Sequence, residues 1–396
     1  MKRAVVFGAG QIGRAFLGDL LTASGYAVTF VDVVPAIVEA LKSRSSYEID
    51  IVGPGARKVL VQNVSAIDGR DAEAASDCVA RADLAATAVG NAALVHIAPN
   101  VAAGLEKRRL ASGGPLDTIV CENLLHSGHI FKAMVLERMT PEGARWAGEN
   151  FGAAEAVISR MVPVVPEEIA RRDPLYIRCE AYAKLPVDST AFKGPIPAIE
   201  GLIASDRLIA YQERKLFTHN AGHALLAYAG YLRGCEYIWQ TLEIPELRRH
   251  AYEGLWETGE ALIRRHGFTR QEHEEHIQDL FARFAVKELA DQVSRVGRDS
   301  ARKLGRADRL VGAALLALEG PRKPAHLVGG ILDAMRFDAP GDPSAARVRA
   351  LFTSGGSEAV LREISGLSEA DELFQMVLSQ ARQIGLRLEA GGVRKG

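Results

Sequence analysis

The sequence predicts an α/β fold in the first half of the chain and an almost entirely helical second half. Short apolar segments alternate with helical patterns in the first part, which is typical of βαβ units and a parallel sheet. Beyond about residue 200, apolar residues recur at helical spacing almost to the C-terminus. The two patterns meet at a strong breaker of regular structure, Gly194-Pro195-Ile196-Pro197. We therefore predict a first domain of residues 1–194 and an all-α domain of residues 195–396.

The elements follow from where the apolar segments stop. In the first domain we expect strands over 4–7, 27–31, 84–89 and 118–121, and helices over 12–24 and from Pro35 onward. Further strands are expected within 156–193, where they could extend the sheet. In the second domain we expect helices over 206–216, 221–233, 244–266, 270–284, 307–318 and 357–364. The tail over 390–396 is expected to fray.

The composition excludes several classes of protein. Lys and Arg number 48 against 49 Asp and Glu, so the balance argues against a chain that binds nucleic acid along its length. The four cysteines form no C-x-x-C pair, which favours free thiols in a reducing compartment. No apolar run reaches the roughly 18 residues of a membrane span, and the N-terminal apolar stretch breaks too early for a signal peptide. We expect a cytoplasmic enzyme.

A glycine-rich turn after the first predicted strand indicates a nucleotide site. The turn fits G-x-G-x-x-G and reads Gly8-Ala9-Gly10-Gln11-Ile12-Gly13. The match alone is weak, but here a strand precedes it, a helix opens within it, and an acidic residue ends the next strand. This arrangement is typical of Rossmann-type dinucleotide binding, in which the helix N-terminus faces the pyrophosphate.

Asp32 decides which dinucleotide is expected. Its carboxylate can accept hydrogen bonds from a ribose 2′-hydroxyl and would repel a 2′-phosphate, so NAD is favoured over NADP. A solvated aspartate at a strand end is the alternative. Arg14 could contact a phosphate or form a surface ion pair. We also assign to the cofactor site the later strand end that contains Thr87, Val89 and Gly90.

A second group of polar residues lies at the start of a predicted helix, at Lys215, Asn220 and His223. At 100° per residue, Asn220 and His223 lie about 60° apart and Lys215 lies about 80° from His223, so the three could share a pocket. Taken singly, each has an ordinary alternative: a solvated lysine, a helix cap and a core histidine.

These residues match K-x4-N-x2-H, and the chain resembles the polyol-specific long-chain dehydrogenase (mannitol dehydrogenase) family. The similarity extends along most of the chain and includes the glycine turn, the 87–90 strand end, Cys121-Glu122-Asn123, Phe192-Lys193-Gly194 and Arg295-Val296-Gly297-Arg298. The resemblance implies that Lys215 is the general acid/base, that Asn123 and Asn220 stabilise the alkoxide, and that His223 binds a substrate hydroxyl. A lysine needs a lowered pKa for this task, which burial or a nearby positive charge can supply. No metal is expected, because His273-Glu274-Glu275-His276 is not H-E-x-x-H and is interpreted as a solvated face.

The substrate is less firmly indicated than the family. The position of the glycine turn and the chain length resemble the phosphate-specific members, which implies interconversion of D-mannitol 1-phosphate and D-fructose 6-phosphate. Arg298, Arg302 and Lys303 then form a candidate phosphate site, although a basic surface stripe would give the same pattern. Asp188 aligns by resemblance with an acidic substrate contact. The 124–128 segment is closer to enzymes of unphosphorylated polyols, so a free polyol or a hexuronate remains the alternative. A monomer is expected by resemblance, and a dimer is possible.

Overall fold

The computed structural model describes residues 1–385, and the chain divides into two compact units between Tyr211 and Gln212. The sequence predicted a boundary after Gly194. In the structure, a strand beyond that point, Leu202–Ser205, pairs in parallel with Leu185–Asp188. This pairing explains why the segment after the Gly-Pro breaker belongs to the first unit. The predicted tail over 390–396 lies outside the described residues.

The first unit contains eleven strands and helices α1 to α7 among the described residues. The strands are β1 Lys2–Phe7, β2 Tyr26–Asp32, β3 Ser46–Val52, β4 Arg57–Gln62, β5 Val64–Asp68, β6 Leu84–Thr87, β7 Leu116–Val120, β8 Phe151–Glu155, β9 Ile177–Glu180, β10 Leu185–Asp188 and β11 Leu202–Ser205. The α-helices are α1 Asp19–Ala23, α2 Pro35–Arg44, α3 Ala72–Arg81, α4 Leu94–Leu110, α5 Ser127–Leu136, α6 Pro141–Asn150 and α7 Glu167–Arg172.

Six of these strands form one sheet in the order β5-β2-β1-β6-β7-β8, and every neighbouring pair is parallel. This is the strand order of a dinucleotide-binding Rossmann sheet. All residues of β6 and β7 are buried, as expected for central strands covered on both faces. The carboxyl ends of β1 and β6 therefore open side by side at the glycine turn.

The strands after residue 156 do not extend that sheet. β9 pairs with β3 in a separate sheet of order β4-β3-β9, and β10 pairs with β11 in a two-stranded sheet. The possible extension was wrong because the edge strand β8 pairs only with β7 in the sheet, while the later strands find partners outside it.

The helix after the glycine turn begins with a π-helical segment over Gly13–Gly18. A π-helix leaves backbone carbonyls displaced from the regular ladder. Here side chains supply donors: the Tyr47 hydroxyl donates to the Arg14 carbonyl at 2.8 Å, and the Arg160 guanidinium donates to the Ala15 carbonyl. The segment is thus held by residues distant in sequence.

The second unit is helical. Its helices are α9 Ala221–Leu232, α10 Ile238–Glu243, α11 Pro245–His266, α12 Arg270–Phe284, α13 Val293–Gly297, α14 Ser300–Lys303, α15 Val311–Leu318, α16 Ala325–Met335, α17 Pro343–Glu363 and α18 Glu372–Gln383, and α8 Leu208–Arg214 spans the division between the units. Helix α9 is apolar on nearly every side and is surrounded by its neighbours α10, α11, α13 and α16. Helix α17 kinks at Gly355 and Gly356, and only its second half was predicted.

The environment of His273 differs from the one that the sequence predicted. His273 was expected on a solvated face, but it is fully buried and packs edge-on against Trp256, with ring centroids 5.2 Å apart.

Within residues 1–385, no helix combines the length and the apolar character needed to cross a membrane.

Candidate active site

The glycine turn has the geometry that the motif predicted. Gly8 has φ +96°, and a side chain there would meet the Ala88 carbonyl oxygen at 2.3 Å. A side chain at Gly13 would meet the Gly8 carbonyl oxygen at 2.0 Å. Gly10 has only open space around it, which leaves room for a ligand to approach the backbone. The residues therefore fit the pyrophosphate of a dinucleotide, as the motif implied.

Asp32 lies at the end of β2 beside that turn. One carboxylate oxygen accepts from the Ala9 backbone N–H at 2.6 Å, and the other accepts from the Val34 N–H at 2.9 Å. Each oxygen keeps capacity for another hydrogen bond, so the carboxylate can accept from a ribose hydroxyl while it stabilises the turn. Ile12 packs against the core, and the Gln11 amide donates to the Pro163 carbonyl at 2.9 Å.

Arg14 is placed differently from the other predicted cofactor residues. It is buried, and its guanidinium donates to the carbonyls of Ala9 at 2.7 Å and Pro174 at 2.9 Å. Burial lowers its pKa, although the hydroxyl of Tyr47 and the carboxylates of Asp32 and Asp173 oppose that effect. In this structure Arg14 holds the turn from within the protein.

The strand end at Thr87, Val89 and Gly90 is fixed by a residue that sequence reasoning missed. The buried carboxylate of Glu122 accepts from the Val89 N–H at 3.0 Å and from the Gly90 N–H at 2.8 Å. Thr87 is fully buried. The Glu122 carboxylate thus ties the ends of β6 and β7 together, and the only signal for it was its place beside Asn123 just after a strand.

Asn123 and Asp188, two further predicted residues, lie in the first unit. Asn123 is exposed just past β7, and its backbone carbonyl accepts from the Asn91 amide at 3.2 Å. Asp188 ends β10, where its carboxylate accepts from the Thr190 N–H at 2.9 Å and from the Thr190 hydroxyl at 2.7 Å. Asp188 is therefore engaged in a local turn.

Lys215 and Asn220 are the first and last residues of a second π-helix, Lys215–Asn220. The prediction assumed 100° per residue. In a π-helix the backbone hydrogen bond joins residues five apart, so these two residues lie one turn apart on the same side. Thr258 supports the segment by donating its hydroxyl to the Phe217 carbonyl at 3.1 Å. Asn220 makes no capping hydrogen bond to α9, so helix capping does not account for it.

Lys215 is half-buried, and within residues 1–385 its ammonium makes no hydrogen bond or ion pair. Burial, with the positive charge of Arg309 as a second cause, lowers the pKa of Lys215 to about 8. A lysine in this state is a practical proton acceptor near neutral pH. Arg309 was not predicted to influence this residue. Its side chain is mostly buried and pairs with Asp308 at 2.9 Å.

His223 follows on α9, and its ring is held on two sides. It stacks on Phe284 with centroids 4.6 Å apart and an angle of 18° between the rings. Its Nε2 lies 2.8 Å from Oδ2 of Asp291, a residue that the sequence analysis did not single out. The other oxygen of Asp291 accepts from Arg295 Nε at 3.0 Å, so the signal available in the sequence was an Asp and an Arg four residues apart.

The predicted cations over 298–303 are not alike. Arg298 is exposed and makes no ion pair within residues 1–385. Arg302 pairs with Asp299 at 2.5 Å and with Asp308 at 2.9 Å. Lys303 is buried and donates to the carbonyls of Val296 and Arg298. The three line a shallow cavity of about 540 Å³ with Arg295, Asp299, Asp342, Pro343 and Ser344.

Comparison with known proteins covers both units. The family model for the mannitol dehydrogenase Rossmann domain matches residues 2–201, and that for the mannitol dehydrogenase C-terminal domain matches residues 207–384. Mannitol-1-phosphate 5-dehydrogenase of Bacillus pumilus (strain SAFR-032) is 37% identical over 96% of this chain and 99% of its own length. The enzyme of that name from Bacillus subtilis (strain 168) is 37% identical over 96% of this chain and its full length.

Solved structures show the same fold at low identity. A D-sorbitol dehydrogenase in substrate-free form has a TM-score of 0.79 at 19% identity and covers 97% of this chain and 93% of that chain. Mannitol 2-dehydrogenase of Pseudomonas fluorescens, in a ternary complex with NAD and D-mannitol, has a TM-score of 0.75 at 16% identity and covers 97% and 92%.

The Rossmann sheet and the glycine turn with Asp32 define the class of NAD-dependent dehydrogenases. The two family matches, which leave only a few residues between them uncovered, make the identification more specific. The chain belongs to the mannitol dehydrogenase family.

Proposed function

We propose that this protein interconverts D-mannitol 1-phosphate and D-fructose 6-phosphate with NAD as the redox partner. One observation carries the proposal: relatives named mannitol-1-phosphate 5-dehydrogenase match 96% of this chain at 36–37% identity. The Lys215 amine, which has no hydrogen-bond partner within residues 1–385 and a pKa of about 8, supports the chemistry.

In this proposal Lys215 moves the proton of the reacting hydroxyl. NAD⁺ supplies a hydride acceptor for the carbon that bears this hydroxyl. The neutral Lys215 amine accepts the hydroxyl proton as the polyol is oxidised, and the ammonium returns it to the carbonyl oxygen when the ketose is reduced. A pKa of about 8 leaves both protonation states populated near neutrality, which suits a reversible reaction.

Amide donors stabilise the negative charge on the oxygen. We assign this role to the side chains of Asn220 and Asn123, because an uncharged N–H donor stabilises an alkoxide without giving up a proton. Asn220 is suited to it, since its amide is not used to cap α9. His223 binds a neighbouring substrate hydroxyl, and Asp188 contributes a further polar contact.

The cofactor and phosphate sites complete the assignment. We place the dinucleotide on Gly8, Ala9, Gly10, Gln11, Ile12 and Gly13, with Asp32 at the ribose and the 87–90 strand end beside it. Of the predicted cations, Arg298 is the one whose side chain makes neither an ion pair nor a hydrogen bond within residues 1–385, so we expect it to contact the phosphate. Arg302 and Lys303 would shape the surrounding loop. We further propose a cytoplasmic monomer.

An enzyme of a free polyol, or of a hexuronate, is the alternative function. It is favoured by the 124–128 segment, whose sequence resembles that of the unphosphorylated-polyol enzymes. It is also favoured by the carboxylates of Asp299 and Asp308, which already form ion pairs with the Arg302 guanidinium. The free polyol differs from the proposed substrate in the phosphate group alone, whereas a hexuronate carries a carboxylate in addition to lacking the phosphate.

The deciding experiment follows NADH oxidation with fructose 6-phosphate, fructose and a hexuronate in parallel. The proposal expects fructose 6-phosphate to have the highest kcat/KM by at least about tenfold. Replacing Arg298 by Ala should then raise KM for fructose 6-phosphate about 10- to 100-fold, the loss expected for one charge-assisted contact. Arg362→Ala, which removes an exposed arginine paired with Glu358, is the matched control. A preference for fructose or the hexuronate would overturn the phosphate assignment.

A further inference from the structure

The carboxylate of Asp291 connects His223, which the proposed mechanism uses, with Arg295 of the same unit. Its Oδ2 lies 2.8 Å from Nε2 of His223. Its Oδ1 accepts from the guanidinium of Arg295, at 3.0 Å from Nε. The side chains of Asp291 and His223 are each 13% exposed, so this contact is largely shielded from water.

The backbone around Asp291 is fixed on both sides. The Asp291 carbonyl accepts from the Ile238 N–H at 2.9 Å, and the Val293 N–H donates to the Glu236 carbonyl at 2.9 Å. Ala290, directly before it, adopts the left-handed conformation with φ +47°, which costs energy for a residue with a side chain. The fold therefore accepts local strain where it presents this carboxylate to the ring of His223.

The charge of Asp291 is favoured in this place. Burial alone would raise the pKa of this carboxyl, but the contact with His223 and the charge of Arg295 lower it below the usual value. Nε2 of His223 is buried without a well-aligned hydrogen bond, so the carboxylate acts on it through its negative charge. A carboxylate oxygen 2.8 Å from an imidazole nitrogen favours the tautomer that carries the proton on that nitrogen. Since Phe284 stacks on the ring, neither the tautomer nor the orientation of His223 is left free.

We propose that Asp291 is a positioning residue that acts through His223, holding Nε2 protonated so that Nδ1 accepts a hydrogen bond from the substrate hydroxyl. This inference rests on the proposed function for the identity of the substrate, but the tautomer of His223 does not depend on it. Asp291 also holds the guanidinium of Arg295 in place.

The first test is nitrogen-15 NMR of the histidine side chains in the full chain, with His223→Asn used to assign the signal. We expect His223 as the Nε2-protonated tautomer in the wild-type protein and a shifted or mixed signal in Asp291→Asn. A wild-type spectrum that shows the Nδ1-protonated tautomer would overturn the proposal, even if Asp291→Asn failed to fold. This measurement needs no substrate, so its outcome is separate from that of the substrate screen.

The second test is a double-mutant cycle of Asp291→Asn and His223→Asn, measured with whichever substrate the wild-type protein prefers. If Asp291 acts through His223, Asp291→Asn lowers kcat/KM about 10- to 100-fold, mainly through KM, and the double variant is no worse than His223→Asn. Asp338→Asn, which breaks an exposed pair with Arg349 at 2.7 Å in the same unit, should leave kcat/KM within about twofold of the wild-type value. Losses that multiply in the double variant would show that Asp291 acts independently of His223 and would contradict the proposal.

Discussion

Lys215 and Lys303 belong to the same helical unit and both feel the charge of Arg309, yet we propose different roles for them. Burial, followed by the charge of Arg309, lowers the pKa of Lys215 to about 8. Burial, followed by the charges of Arg309 and Arg302, lowers the pKa of Lys303 to about 7. By pKa alone, Lys303 would be the better base near neutral pH.

The difference lies in what each ammonium touches. Lys303 donates to the carbonyls of Val296 and Arg298 and so closes the loop between α13 and α14. Lys215 makes no such bond within residues 1–385 and starts a π-helix that aligns it with Asn220. A lowered pKa therefore does not identify a catalytic lysine, and the amine must also be free to exchange its proton with a substrate.

The largest expected effect is the loss of catalytic activity when Lys215 is replaced. Replacing Lys215 by Met should lower kcat at least about a thousandfold, because the reaction loses its proton acceptor. NADH binding, measured by fluorescence titration, should be unchanged. The melting temperature should not fall, since no hydrogen bond of the amine is lost. Turnover within tenfold of the wild-type rate would remove Lys215 from its role.

The next largest expected effect is the loss of thermal stability when Lys303 is replaced. Replacing Lys303 by Met leaves two carbonyls without their donor, which costs about 1–3 kcal/mol if they stay out of water. For a unit of this size, each kcal/mol lowers the melting temperature by roughly 2–4 °C. Scanning calorimetry should therefore show a loss for Lys303→Met and none for Lys215→Met. If Lys303→Met melted like the wild-type protein but lost as much kcat as Lys215→Met, the two roles would be reversed.

Some features of the fold and of the candidate site could be predicted from the sequence. A parallel sheet could be anticipated from βαβ patterning, although its two edge strands, β5 and β8, were not predicted. The glycine turn could be anticipated residue by residue. Gly8 and Gly13 answer a local steric demand, since a side chain at Gly8 would meet the Ala88 carbonyl oxygen at 2.3 Å. Lys215, Asn220 and His223 were proposed because they lie close together in the chain and match the K-x4-N-x2-H pattern of the family.

Contacts between distant segments could not be predicted in this way. Glu122 fixes a strand end 32 residues before it, and Asp291 reaches His223 from a loop far along the chain. The two π-helices depend on donors such as Tyr47 and Thr258, which no local pattern connects to them. The cations over 298–303 line one cavity, but charge alone did not reveal that Asp299 and Asp308 already pair with Arg302.

The pH dependence of the reaction in both directions tests the central claim about Lys215 most directly. Oxidation of mannitol 1-phosphate needs the neutral amine, so kcat/KM should rise with pH and level off above a pKa of about 8. Reduction of fructose 6-phosphate needs the ammonium, so kcat/KM should be highest below that pKa and fall above it. Profiles that are flat between about pH 6.5 and 9.5, or that change in the same direction for both reactions, would contradict Lys215 as the proton acceptor.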